Sequence, residues 1–155
     1  MLFNISPAHA ISTHNIFVTT FSILSYAKWH TSVQTPSFCV IDNHSLANQF
    51  KTVSQQYNQN YQIHSIGLND LNSTTCQVIF FSTLTPQQEQ STLNNQAQPA
   101  LSFSNNNIAC EVGSAFCLYK RNQLTSFKVN LDSLSQSKVR IDPRVLLLAK
   151  PVEQK

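Results

Sequence analysis

Glycine is nearly missing from this chain: Gly67 and Gly113 are the two in 155 residues. Loops that cradle phosphate need glycine in numbers, because their backbone must approach the ligand closely and take up positive φ. None of G-x-G-x-x-G, G-x-x-x-x-G-K-[ST], G-x-S-x-G or H-E-x-x-H occurs. The seven acidic residues are scattered, so no local pair of carboxylates presents itself for acid–base work. The histidines, at 9, 14, 30, 44 and 64, form no H-x-H or H-x3-H pair, and none lies near Cys110 or Cys117. Zinc ligands come at closer spacing than that, so no metal and no cofactor is expected. An enzyme would need a site assembled only in three dimensions. Long apolar runs are also absent: no stretch approaches the roughly 20 residues that span a bilayer.

Charge is scarce as well, at 11% of residues, and neutral polar side chains take its place. Asn, Gln, Ser and Thr together make 61 of the 155. Such a composition can mean disorder, but disorder goes with few aromatics and high charge. Here ten Phe, four Tyr and one Trp are spread among alternating aliphatic residues. The chain is expected to fold, as one domain by its length.

Periodicity gives alternating helices and strands. Residues 15–29, NIFVTTFSILSYAKW, carry a broad helical stripe with Ser12 or Thr13 as N-cap. SFCVID is a buried strand. Asn43 caps a helix over HSLANQFKTVSQQY, and NYQIHSIG and CQVIFFS follow as strands. Thr85-Pro86 opens a helix over PQQEQSTLNNQ, since Pro suits the first helical position. PALSFS is a strand, and AFCLYKRNQLTSFKVN is an antiparallel hairpin turning at residues 121–123. A short helix, LDSLSQSKV, comes next. Asp142-Pro143 starts a last helix, PRVLLLAK, whose unbroken VLLLA is expected to face the core.

Strand–helix alternation of this length implies an α/β fold: a single three-layer domain, mostly parallel sheet flanked by helices, with an antiparallel C-terminal hairpin. Residues 14–150 form that domain and 151–155 a frayed tail. Ala8-His9-Ala10 has the small-x-small form of a signal-peptidase site. Residues 1–13 are therefore read as the stub of a secretory signal, or as a disordered start.

The few charges are unevenly placed. Residues 120–155 hold eight Lys or Arg against Asp132, Asp142 and Glu153, a balance of +5, whereas the rest of the chain carries −2. Nucleic acid is one possible partner for a basic end. However, the basic residues stand singly among apolar ones and form no DNA-binding motif, so an acidic protein surface or plain solvation fits better.

Cys110 and Cys117 flank the turn EVGSA, a spacing that lets the chain reverse and bring two Cα atoms within disulfide range. Cys39 and Cys76 would then be the remaining pair. The competing reading is four buried thiols of a cytosolic domain, since Cys39 and Cys76 sit in apolar runs where free cysteine packs well. The turn-flanking pair favours an oxidising compartment.

The order of pieces resembles the YfiR family of small bacterial periplasmic proteins. The resemblance rests on FSILSYAKWH, FCVIDNHSL, CQVIFFSTLTP, ALSFSNNN, VGSAFCLYK, FKVNLDSL and VRIDPRVLLLAK, and it covers about residues 14–150. Its most specific part is Phe127-x-Val129-Asn130 with the VLLLA segment after it. The chain departs in having one glycine where two are common, and Asp142-Pro143 where a Ser pair is usual. The resemblance implies regulation without catalysis: a periplasmic protein that binds the sensor region of a membrane-bound diguanylate cyclase and represses cyclic-di-GMP signalling. It also implies bridges Cys110–Cys117 and Cys39–Cys76, with a homodimer as a further possibility. The residues expected to meet the partner are Phe127 as a partly exposed aromatic anchor, Lys128, Asn130, Arg140 and Arg144. Failing these, the first helix near Tyr26 and Trp29 is the next candidate. The alternative function is a periplasmic small-molecule-binding module, using the crevice at the carboxyl ends of the parallel strands.

Overall fold

A computed structural model describes residues 15–29 and 34–149. The expected signal stub (1–13) and the tail (151–155) lie outside them. Helix α1, Ile16–Leu24, is capped by Asn15, whose Oδ1 accepts from the Val18 N–H at 2.9 Å. This corrects the expected cap: Asn15 does the work assigned to Ser12 or Thr13, which lie outside the described residues. The helix is also shorter than its apolar stripe. The chain leaves it because Ala27–Lys28 (β1) pairs antiparallel with Arg140–Ile141 (β8), making a separate two-stranded ribbon. The Asp142 N–H extends that ribbon to the Tyr26 carbonyl at 2.9 Å.

The main sheet has six strands: β2 (Ser37–Ile41), β3 (Gln62–Ile66), β4 (Val78–Phe81), β5 (Leu101–Ser104), β6 (Phe116–Arg121) and β7 (Leu124–Val129). Their order is β3-β2-β4-β5-β6-β7, parallel throughout except for the closing β6–β7 hairpin. Asn122 and Gln123 turn that hairpin, both at positive φ. Helix α2 (His44–Gln56) is capped by Asn43, and α3 (Pro86–Asn94) by Thr85 in a capping box with Gln88. Both caps follow from short polar side chains that accept from the orphan N–H groups of the first turn. Asn130 caps α4 (Leu131–Gln136) in the same way.

Side chains alternate along each strand, so the sheet has two different faces. One face carries Phe38, Phe80, Phe103, Phe116 and Phe127, one from each of five neighbouring strands, all at most 1% exposed. Phe80 and Phe103 stack at 6.2 Å, Phe103 and Phe116 at 5.3 Å, and Phe127 meets Phe116 edge-on at 5.8 Å. Phe21 from α1 and Phe50 from α2 close over this row. The opposite face packs Cys39, Ile41, Ile79 and Phe81 against Leu71, Leu84 and Leu93.

The segment Pro143–Leu148 departs from expectation. It is a 3₁₀ helix that buries Val145, while Leu146, Leu147 and Leu148 are 47%, 60% and 43% exposed. With three residues per turn, successive side chains point in three directions, so a run of four apolar residues cannot all face inward. The expectation that VLLLA lies against the core is therefore corrected to Val145 and Ala149 alone.

Candidate interaction surface

Both expected bridges are formed, Cys39–Cys76 and Cys110–Cys117, and no cysteine is free. The second closes a loop whose interior is polar. Glu89, in the first turn of α3, is wholly buried beneath it. Its Oε1 accepts from Asn107 Nδ2 at 3.0 Å, the Ser114 N–H at 3.1 Å and Ser114 Oγ at 2.9 Å; its Oε2 accepts from Ser104 Oγ at 2.6 Å. Asn107 in turn donates to the Val112 carbonyl and accepts from the Cys110 N–H. A carboxyl group with this many donors is a satisfied buried polar group. Gly113 lies over it at φ +98°, and a Cβ there would come within 2.7 Å of Glu89 Oε1 and 2.8 Å of Asn107 Nδ2. One of the two glycines is thus required by close approach. The arrangement orders the loop and offers no open position for a reacting group.

The residues expected to meet a partner do not fall together. Phe127 is 1% exposed and belongs to the aromatic row, so the expectation of a partly exposed anchor is corrected: its alternation along β7 points it into the core. Asn130 is committed to capping α4 through the Ser133 N–H. Lys128 is exposed on β7, with its ammonium 5.8 Å from the Tyr119 ring centroid. Arg140 lies on the ribbon, and Arg144 follows in the 3₁₀ turn.

The ribbon brings Arg140 beside residues from the far end of the domain. Tyr26, Lys28, Arg140, Ile141, Asp142 and Pro143 line a depression of 290 Å³. Arg144 holds Asp142 with both Nε and Nη2, the latter at 2.6 Å, and its guanidinium lies 6.0 Å from the Tyr26 ring centroid. These hydrogen bonds, with the charge behind them, lower the Asp142 carboxyl to about 2. Of the two locations weighed from sequence, the ribbon brings Arg140 and Arg144 beside Tyr26, while Lys128 stays on β7 next to Tyr119. Lys28 was missed because a lone Lys after a helical stripe carries no signal of its own.

The crevice required by a small-molecule module lies at the carboxyl end of β2 and β4. There Asn43 Nδ2 donates to Ser82 Oγ at 3.0 Å and bridges the gap. Two other depressions, of 170 and 240 Å³, lie toward the opposite ends of β5 and β4. All three volumes fall below the roughly 300–1,000 Å³ of ligand pockets.

Among the described residues, no group of three or more His, Cys, Asp or Glu could hold a metal, and no helix is long and apolar enough to cross a membrane. A twice-bridged α/β domain with a basic ribbon and a sealed carboxylate defines a class: a disulfide-stabilised α/β domain, of a kind that fits an oxidising compartment. The family comparison narrows this. Residues 17–150 match the model of the YfiR/HmsC-like family, and the chain belongs to that family. Family and disulfides together support a periplasmic regulatory role rather than catalysis.

Proposed function

We propose that the protein is a periplasmic repressor that binds the sensor region of a membrane-bound diguanylate cyclase and holds the cyclase inactive, lowering cyclic-di-GMP. The observation that carries this reading is the family match over most of a chain closed by two disulfides. The exposed basic residues Lys128, Arg140 and Arg144 support it, since rim charges steer a protein toward an oppositely charged partner. Repression by binding needs no group to react, which agrees with a buried carboxylate used wholly for structure.

The test is made in cells that carry the chain and its cyclase. Removing the protein should raise cyclic-di-GMP, and replacing it should restore the low level. The protein should also co-purify with the cyclase from solubilised membranes. Unchanged cyclic-di-GMP together with no cyclase in the purified fraction would overturn the reading. A thermal shift produced by one small molecule, without a membrane partner, would favour the ligand-binding module instead.

A further inference from the structure

Single exposed apolar side chains are ordinary on protein surfaces, but three in succession are not, because folding gains nothing from leaving them in water. Leu146, Leu147 and Leu148 form such a run, 47%, 60% and 43% exposed, at the end of the basic ribbon. In a 3₁₀ helix residues three apart eclipse, so Leu147 stands on the outward side with Arg144, while Leu148 lies above Val145 and Leu146 in line with Ala149, each still partly exposed at the edges of that side. The buried Val145 and Ala149 pin this short helix to the core and fix the leucines in place.

The ribbon beside them carries a second anomaly. Lys28 and Arg140 are direct cross-strand partners, so their side chains rise from the same face. Like charges opposite one another destabilise a strand pair. Neither makes a direct ion pair among the described residues: Asp142 is bound by Arg144 and feels the charge of Lys28 only weakly, as the last of the causes that lower it. An acidic group from outside would offset the repulsion that Asp142 and solvent leave between them.

We propose that Leu146–Leu148 and the Lys28/Arg140 pair form one docking face for an apolar protein surface rimmed with carboxylates. This rests on the regulatory reading above and names the surface through which the sensor region would be held. Charge complementarity selects this occupant over a second copy of the chain. A two-fold dimer through the same face would bring two patches of the same sign together, with the Lys28 and Arg140 charges of both copies in one interface. It also selects protein over an anionic bilayer, since a six-residue 3₁₀ helix is far shorter than the amphipathic helices that lie in membrane interfaces.

The experiment measures binding of the full chain to the purified periplasmic region of the cyclase by biolayer interferometry at two salt concentrations. Leu147→Asp should weaken binding about tenfold or more through faster dissociation, as loss of an apolar anchor does. Lys28→Glu with Arg140→Glu should slow association about fivefold and flatten its salt dependence. Tyr57→Asp, on the exposed end of α2, should change nothing. Leu147→Ser serves as a second variant, and retained near-ultraviolet circular dichroism shows that each variant is folded. If the unaltered chain binds and Leu147→Asp and Leu147→Ser bind equally well, this face is wrong while the regulatory reading stands. If the unaltered chain does not bind, the regulatory reading falls and this inference with it. A dimer in sedimentation velocity, or binding to phosphatidylglycerol vesicles, that Leu147→Asp abolishes would also overturn the assignment.

Discussion

Cys39–Cys76 ties β2 to the segment just before its neighbour β4, inside a wall of apolar side chains, whereas Cys110–Cys117 closes a loop lined with polar ones. In the first region Ile41, Ile79 and Phe81 hold β2 against β4 with or without the bond. In the second, apolar burial is thin, and the hydrogen bonds of one carboxylate fix where the backbone runs. The bridges therefore act on different things. The first constrains an unfolded chain that the core would gather anyway, and the second holds a loop whose native path is specified by Glu89.

This contrast can be broken by experiment. In the chain-entropy picture, the long loop closed by Cys39–Cys76, with a sequence separation of 37, contributes about 4 kcal/mol, against about 2.5 kcal/mol for the separation of 7. Replacing Cys39 and Cys76 with Ala should thus cost the most in urea unfolding, while near-ultraviolet circular dichroism stays native. Equal losses from Cys39/Cys76→Ala and Cys110/Cys117→Ala would sink the entropic account.

A smaller loss, about 3 kcal/mol, is expected from Glu89→Ala, which leaves buried donors on Ser104, Asn107 and Ser114 unsatisfied. Its signature should be local: the Cys110–Cys117 bond becomes reducible by mild thiol much sooner than Cys39–Cys76. If the two bonds keep their relative rates of reduction in Glu89→Ala, the carboxylate does not govern the loop.

The smallest effect sharpens the contrast between a buried acid and an exposed one. Asp142, lowered to about 2 by its hydrogen bonds with Arg144, has a folded pKa below its unfolded value. Its contribution is therefore complete above the ordinary aspartate range and is lost only as pH falls toward 2. Carbon-13 titration should place its midpoint near 2, and Arg144→Ala should return it toward 4. An unchanged midpoint in that variant would mean that the pair is not formed in solution.

Much of the architecture was legible because it is written locally. Asn43, Thr85-Pro86 and the spacing of Cys110 and Cys117 each state their role within a few residues. What was not legible depends on distant partners. A two-residue strand such as Ala27–Lys28 has no periodicity to read, and its partner lies near the other end of the chain. Glu89 carries no local signal of its role, which comes only from Ser104, Asn107 and Ser114 folded onto it. Phe127 and VLLLA mislead for opposite reasons. Phe127 reads as available, yet its register buries it; the leucines read as buried, yet a 3₁₀ helix cannot hide a consecutive run of them. Of the residues that the proposed face combines, Arg140 was expected from the sequence to meet a partner, and Lys28 and the leucines were not.

The ribbon of β1 and β8 also sets an order in time. It joins the two ends of the domain through two residue pairs, so its contacts bring little gain until the intervening sheet has gathered them. It should therefore close last during folding and open first in native-state hydrogen exchange, with the Asp142 amide exchanging well before that of Phe80. The pairing of Lys28 with Arg140 depends on that closure, whereas Val145 and Ala149 hold the leucine helix against the core. A chain that had not finished folding would lack the Lys28/Arg140 pair, so the proposed docking face would be complete only in finished molecules.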